Sequence, residues 1–165
     1  FLNRPEIVKG IRQLGAFDFT YDILIYPTQL KAALHLVREI SGVKFVVDHL
    51  AKPYIKDQKL NTWSNYMREL AANSHVSCKV SGMVTEADWK HWTKKDFYPY
   101  LDVVFESFGV DRLLFGSDWP VCLVAAEYEQ VMGLVRDYMT HVGFSETDKA
   151  KVFGGNATQF YRLDE

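Results

Sequence analysis

Four times along this 165-residue chain, a short run rich in β-branched or aromatic residues is followed by a segment with apolar residues at helical spacing. This alternation constrains the fold more than any other feature of the sequence. Strands separated by helices form βαβ units, whose right-handed crossovers place the strands parallel in one sheet. The strand-like runs are Phe17–Tyr26, Val43–His49, Val76–Ser81 and Arg112–Asp118. A helix opening at Pro5 and stopped by Gly15 precedes the first. Leu30, Ala33, Leu34, Val37 and Ile40 make the face of the next helix, and Trp63, Tyr66, Met67 and Leu70 that of the one after. Thr85-Glu86-Ala87-Asp88 reads as a capping box opening a short helix, and a longer helix is expected over Tyr98–Phe108 with Pro99 in its first turn. A further helix buries Tyr128, Val131, Met132, Val135 and Tyr138. Ser145–Asp148 caps another, and a last short one begins at Gly154-Gly155-Asn156.

Two architectures accommodate four such units: a small open doubly wound sheet, or half of a (β/α)8 barrel. A complete barrel needs about 250 residues. The apolar share of 48% suffices for a packed core and excludes a disordered or fibrous chain. A formal net charge of -2 without a Lys/Arg block argues against nucleic acid and against an anionic membrane surface. No apolar run approaches the roughly 18 residues of a membrane span. Cys78 and Cys122 form neither a disulfide framework nor a zinc pattern, so free thiols in a cytoplasmic protein are expected. The chain opens on Phe1 with no signal-peptide pattern, and we expect that an upstream part has been removed.

In both architectures, functional residues gather at the C-terminal ends of the strands. That rule selects Tyr26, Asp48, His49, Lys79, Ser81, Ser117 and Asp118. A turn accounts for any one polar strand end, since Asp and Ser begin turns readily. Two strand ends offering a His and an Asp to the same rim point to chemistry. By strand alternation, one of Asp48 and His49 faces the sheet crevice and the other the covering helices. A strand-end His can ligate a metal, move a proton or polarise a carbonyl, and an Asp can ligate a metal or activate water. No nucleophile elbow, phosphate loop, dinucleotide fingerprint or HExxH motif is present. His35, His91 and His141 fall in helical segments, His75 precedes the third strand at the opposite end, and the aromatics at helical spacing read as core.

Val47-Asp48-His49-Leu50-Ala51-Lys52-Pro53, Cys78-Lys79-Val80-Ser81-Gly82-Met83 and Leu114-Phe115-Gly116-Ser117-Asp118-Trp119-Pro120-Val121 occur in this order, followed by Gly155-Asn156-Ala157-Thr158-Gln159-Phe160-Tyr161. Together they resemble the amidohydrolase-related TIM-barrel hydrolases, in the sugar-lactonase branch acting on L-fucono-, L-rhamnono- and related aldonolactones. The resemblance implies the C-terminal half of a TIM (β/α)8 barrel: residues 1–165 as a single, incomplete domain, with the strands bearing the family's His-x-His pair missing. It implies a hydrolase opening a sugar lactone by water attack on the ester carbonyl, with His49 and Asp118 catalytic. Lys79 and Trp119 are the implied substrate contacts. His49 and Asp118 are also the implied metal ligands, for one zinc or other divalent ion, or for none. The strand after His49 carries no second histidine, which argues against a binuclear centre. Two alternatives stand beside this reading: a metal-dependent decarboxylase of the same superfamily, and an inactive half-barrel fragment. Exposed parallel strand edges would pair with the missing N-terminal half or with a second copy.

Overall fold

The computed structural model describes residues 1–163. Its centre is a parallel sheet of four strands: β1 (Thr20–Ile23), β2 (Lys44–Val47), β3 (Val76–Val80) and β4 (Leu113–Phe115), ordered as in the sequence. Asp22 stands opposite Val46, Val46 opposite Ser77, and Lys79 opposite Leu114, so these residues share one face. Tyr21, Phe45, Val47, Cys78, Val80 and Leu113 share the other.

Helices α1 (Pro5–Ala16), α2 (Leu30–Glu39), α3 (Asn61–Ala71), α4 (Lys94–Phe108) and α5 (Tyr128–Val142) pack with that second face into the main core. Trp63 and Tyr100 meet edge-on at 5.3 Å, and Phe105 and Tyr138 at 5.1 Å. These helical aromatics are buried, as their spacing required. Two short helices, α6 (Glu146–Ala150) and α7 (Asn156–Tyr161), are joined by a wide π-type turn over Lys151–Gly155. On the first face of the sheet, Val46 and Leu114 form a small cluster with Phe160, backed by Ala157 and Tyr161.

Three expectations are corrected. The strands are shorter than their apolar runs, because the chain turns away at polar residues: Asp18 before β1 and His49 after β2 take left-handed backbone. Helix α4 starts at Lys94, where Thr93 and Asp96 form the capping box, so Pro99 lies inside the helix rather than in its first turn. Thr85–Asp88 opens no helix. Thr85 Oγ1 donates to the Gly82 carbonyl at 2.8 Å instead, and residues 84–86 form a 3₁₀ turn.

Pro5 does open α1, Gly109 (φ +66) ends α4, and the Ser145–Asp148 box caps α6. Asn156 is buried, and its amide donates to the carbonyls of Val110 and Leu113 at 2.6 and 2.8 Å. The Asn156-Ala157-Thr158 triplet is thus a structural tie for α7. Among the described residues no helix is long and apolar enough to cross a membrane.

Candidate functional site

The C-terminal ends of β2, β3 and β4 converge on His49. After Val47 the chain enters a run of left-handed backbone, with φ between +50 and +55 at His49, Leu50, Ala51 and Lys52. Such a run is costly for residues bearing a Cβ. Buried Leu50 and Ala51 hold it down, and the Trp63 indole donates to the Leu50 carbonyl at 2.7 Å.

The bend overturns the alternation argument. Asp48 and His49 do not divide between crevice and helices: both reach residues of the same face of β3 and its extension, Asp48 to Lys79 and His49 to Ser81.

His49 Nδ1 lies 2.8 Å from the Ser81 hydroxyl, and His49 Nε2 lies 3.7 Å from Asp118 Oδ1. All three side chains are largely sheltered; those of His49 and Asp118 are 21% and 16% exposed. Gly82 (φ +61) lies beneath the imidazole, where an added Cβ would come within 2.7 Å of the ring. Gly116 passes close to Ser81: a Cβ there would sit 3.1 Å from that of Ser81. The two glycines let neighbouring strand ends approach closely enough for the His–Ser contact.

Asp118 takes left-handed backbone (φ +58), and its carbonyl accepts from the Cys122 amide at 2.9 Å, which fixes the turn after β4. Ser117 Oγ accepts from the Trp119 amide at 3.2 Å, and the Trp119 ring stands exposed beside Asp118. Burial, then the charge of Asp118, pushes the Cys122 thiol above its ordinary pKa.

Lys79 is brought to a different group. Its ammonium donates to Asp22 at 2.6 Å, lies 2.7 Å from Asp48 Oδ1 and faces the Tyr161 ring at 5.5 Å. Tyr161 itself donates to Asp22 at 2.8 Å. Burial alone would lower the Lys79 pKa; the hydrogen bonds it donates to Asp22 and Asp48 outweigh burial and raise it. Burial pushes the Tyr161 phenol up to about 12. The cluster ties β1, β2, β3 and α7 together on the sheet face below the rim.

Two residues that the motifs did not single out join His49 at the rim. Lys52 Nζ approaches Glu86 Oε1 at 3.6 Å and faces the Tyr26 ring at 5.4 Å. Burial raises the Glu86 pKa, partly offset by Lys52 and by His49, while Asp118 adds to the rise. In the sequence, Glu86 falls within the expected capping box and Lys52 within the Val47–Pro53 segment. Their separation along the chain hid the pairing, and only the spare charge in the segment ending at Lys52-Pro53 hinted at it.

The remaining histidines lie elsewhere. His75 bonds the Val37 carbonyl at 3.0 Å before β3, His35 and His91 pair with Glu39 and Asp88, and His141 stacks on Tyr98.

His49 and Asp118 have the right donor chemistry for one divalent ion. With Nδ1 engaged by Ser81, Nε2 is the free ring atom, and it faces the carboxylate. Among the described residues, no group of three or more His, Cys, Asp or Glu side chains could hold a metal. The pair therefore fits as two ligands of a larger set.

Comparisons with known proteins agree with this architecture. An L-fucono-1,5-lactonase from Burkholderia multivorans is 36% identical over 174 residues, covering 100% of this chain and 58% of that protein. An L-fucono-1,5-lactonase from Burkholderia ambifaria is 35% identical, covering 99% of this chain and 57% of that protein. A crystal structure of an amidohydrolase from Burkholderia multivorans with bound zinc superposes with a TM-score of 0.93 at 36% identity, over 98% of this chain and 59% of that one. The chain thus spans somewhat over half the length of these relatives and forms part of a TIM barrel. The Amidohydrolase family model matches residues 2–163, and the chain belongs to that family.

Proposed function

We propose that the complete protein is a hydrolase that opens a sugar lactone, with Asp118 and His49 as its catalytic residues. The observation that carries this reading is the facing pair itself, with His49 Nε2 and Asp118 Oδ1 3.7 Å apart at the strand ends of a lactonase-like barrel. Residues 1–165 supply four strands of that barrel as one incomplete domain. The open edges of β1 and β4 pair with strands encoded upstream, including those that bear the family's His-x-His pair. The two free, buried cysteines suit a cytoplasmic setting.

The facing pair supports the following sequence of steps. The Asp118 carboxylate takes a proton from a water molecule as the water oxygen attacks the lactone carbonyl. Charge develops on the carbonyl oxygen. Ser81 donates its hydroxyl hydrogen to His49 Nδ1, so that Nε2–H points outward and stabilises that oxyanion. When the tetrahedral intermediate collapses, the bond to the ring oxygen breaks. Asp118 returns its proton to this leaving oxygen, giving the open-chain hydroxy acid. Where a divalent metal binds, the other tautomer would serve: Nδ1–H would donate to Ser81 Oγ, Nε2 and Asp118 would hold the ion, and it would polarise the carbonyl. The exposure of Trp119, next to Asp118 in the chain, supports a role in covering the bound sugar ring.

The test is lactone hydrolysis by the full-length protein, followed with a pH indicator over a panel of L- and D-aldonolactones. Turnover of one or two lactones, reduced at least about a thousandfold by Asp118→Asn with the fold retained, is expected. Unchanged turnover in that variant would overturn the role of Asp118. Release of CO2 from an aromatic acid, with no lactone opened, would replace the reaction by decarboxylation.

A further inference from the structure

We propose that Lys52 and Glu86 form the subsite that recognises the hydroxyl groups of the substrate. This deepens the lactonase reading and rests on it.

Lys52 and Glu86 form a sheltered ion pair with spare hydrogen-bonding capacity. The Lys52 and Glu86 side chains are only 24% and 19% exposed, yet neither makes a side-chain hydrogen bond within the described residues. Their mutual approach of 3.6 Å is an ion contact beyond hydrogen-bond length. Polar groups this sheltered normally find partners. Beyond this contact and the Tyr26 ring, most N–H bonds of the Lys52 ammonium and most lone pairs of the Glu86 carboxylate have no protein partner among the described residues.

The position is right for a substrate. Lys52 ends the left-handed run that begins at His49, and its amide donates to the His49 carbonyl at 2.8 Å. Glu86 ends the turn after β3, which packs on the 121–124 turn that follows Asp118. Glu86 is close enough to His49 and Asp118 for both to act on its ionisation. The pair therefore flanks the carbonyl-activating residues from the same rim.

Charge selects the ligand class. An anion would meet Glu86 and Asp118, and a cation would meet Lys52. A neutral polyol suits both, donating one hydroxyl hydrogen to Glu86 and accepting from the Lys52 ammonium through a second oxygen. Vicinal ring hydroxyls present this donor–acceptor pair. The half-exposed Tyr26 ring under Lys52 supplies an apolar surface for the C–H side of a pyranose.

The experiment uses the full-length protein and 1,5-anhydroalditols. These are the rings of 1,5-lactones with the carbonyl reduced to CH2, so they report hydroxyl recognition without chemistry. Calorimetry should detect binding of at least one epimer, weakened about tenfold to a hundredfold in Glu86→Gln and in Lys52→Met. In parallel, the ratio of kcat/KM for the preferred aldonolactone over δ-valerolactone should fall at least about tenfold, mainly through KM. Thermal unfolding checks that both variants fold.

Binding lost in the variants, with no lactone hydrolysed by the wild type, would sink the lactonase reading and leave the subsite standing. Lactone turnover with affinity and ratio unchanged in both variants would do the reverse. Failure of every anhydroalditol to bind the wild type, or an equal fall for both lactones, would also overturn the subsite.

Discussion

His49 Nδ1 and the Ser81 hydroxyl lie 2.8 Å apart, joining the ends of adjacent strands and turning the free imidazole nitrogen toward Asp118. A ring held through one nitrogen has a fixed orientation, which governs where the other nitrogen points. In the proposed mechanism Ser81 acts on the reaction through His49.

Ser81→Ala removes that hold without enlarging the side chain. Turnover of the full-length protein should fall about tenfold to a hundredfold, the range found when an imidazole loses its outer hydrogen bond. The fall should appear in kcat more than in KM, and Ser81→Thr, which keeps the hydroxyl, should recover part of it. Equal rates for Ser81→Ala and wild type would show that the contact does not orient the ring.

Gly82→Ala tests the support beneath the ring. The residue sits at φ +61, where a side chain costs about 1–2 kcal/mol, and its Cβ would come within 2.7 Å of the imidazole. Urea unfolding should show a loss of at least about 1 kcal/mol. Activity should fall beyond what the lost stability explains, because His49 must move to make room.

Lys79→Met tests the charge cluster below the rim. Removing the ammonium leaves Asp48, 14% exposed, and Asp22 without their cation. A loss of about 2 kcal/mol at neutral pH is expected, below the full value of a deeply buried pair because Asp22 is partly solvated. The pH dependence has a definite sign. The Lys79 pKa is raised in the folded protein, since its hydrogen bonds to Asp22 and Asp48 outweigh burial. Its contribution is complete below the ordinary lysine value of about 10.4 and declines as pH rises toward the folded value. The stability gap between wild type and variant, measured by denaturant titration, should narrow above about pH 10.4. A gap that stays constant there would mean the cluster stabilises by packing alone.

Glu86→Gln separates stability from binding. Burial raises the Glu86 pKa, so folding favours its neutral form. That contribution is complete below the unfolded carboxyl value of about 4.3 and is lost as pH rises through the folded one. Glutamine stays neutral throughout. At pH 7 the variant should be more stable than wild type by less than about 1 kcal/mol, solvent screening having been allowed for. The difference should vanish below about pH 4. A residue that weakens the fold in its charged state while serving ligand binding would show this pattern; a variant less stable at pH 7 would contradict it.

Much of the architecture was legible in the sequence because a parallel strand buried on a helix-covered face reads as a continuous apolar run. Phe45–Val47 and Leu113–Phe115 announce themselves in this way, whereas Val76–Val80 is interrupted by Ser77 and Lys79 on the opposite face. The helix faces follow from their 3.6-residue period, except that Tyr128, expected on the buried face of α5, is exposed at its first turn. Boundaries were less legible. The start of α4 rests on the Thr93–Asp96 capping box, four residues apart from the periodic signal that Pro99 suggested.

At the rim, the sequence marked His49 and Asp118 through polar residues ending apolar runs. It said nothing of their partners, which depend on backbone that departs from strand geometry. Alternation fails for Asp48 and His49 because left-handed φ values at residues 49–52 re-aim every side chain after Val47. Lys79 carried a motif signal, yet its contacts with Asp22 and Tyr161 come from opposite ends of the chain.

The order of strands and helices, the parallel sheet and the two rim residues His49 and Asp118 were thus set by local pattern, which periodicity and turn chemistry encode directly. The Ser81 hold on His49, the Lys52–Glu86 pair and the seating of α7 on the sheet were decided only by tertiary structure. Each depends on residues distant in sequence meeting across strand ends, and no local preference specifies such a meeting.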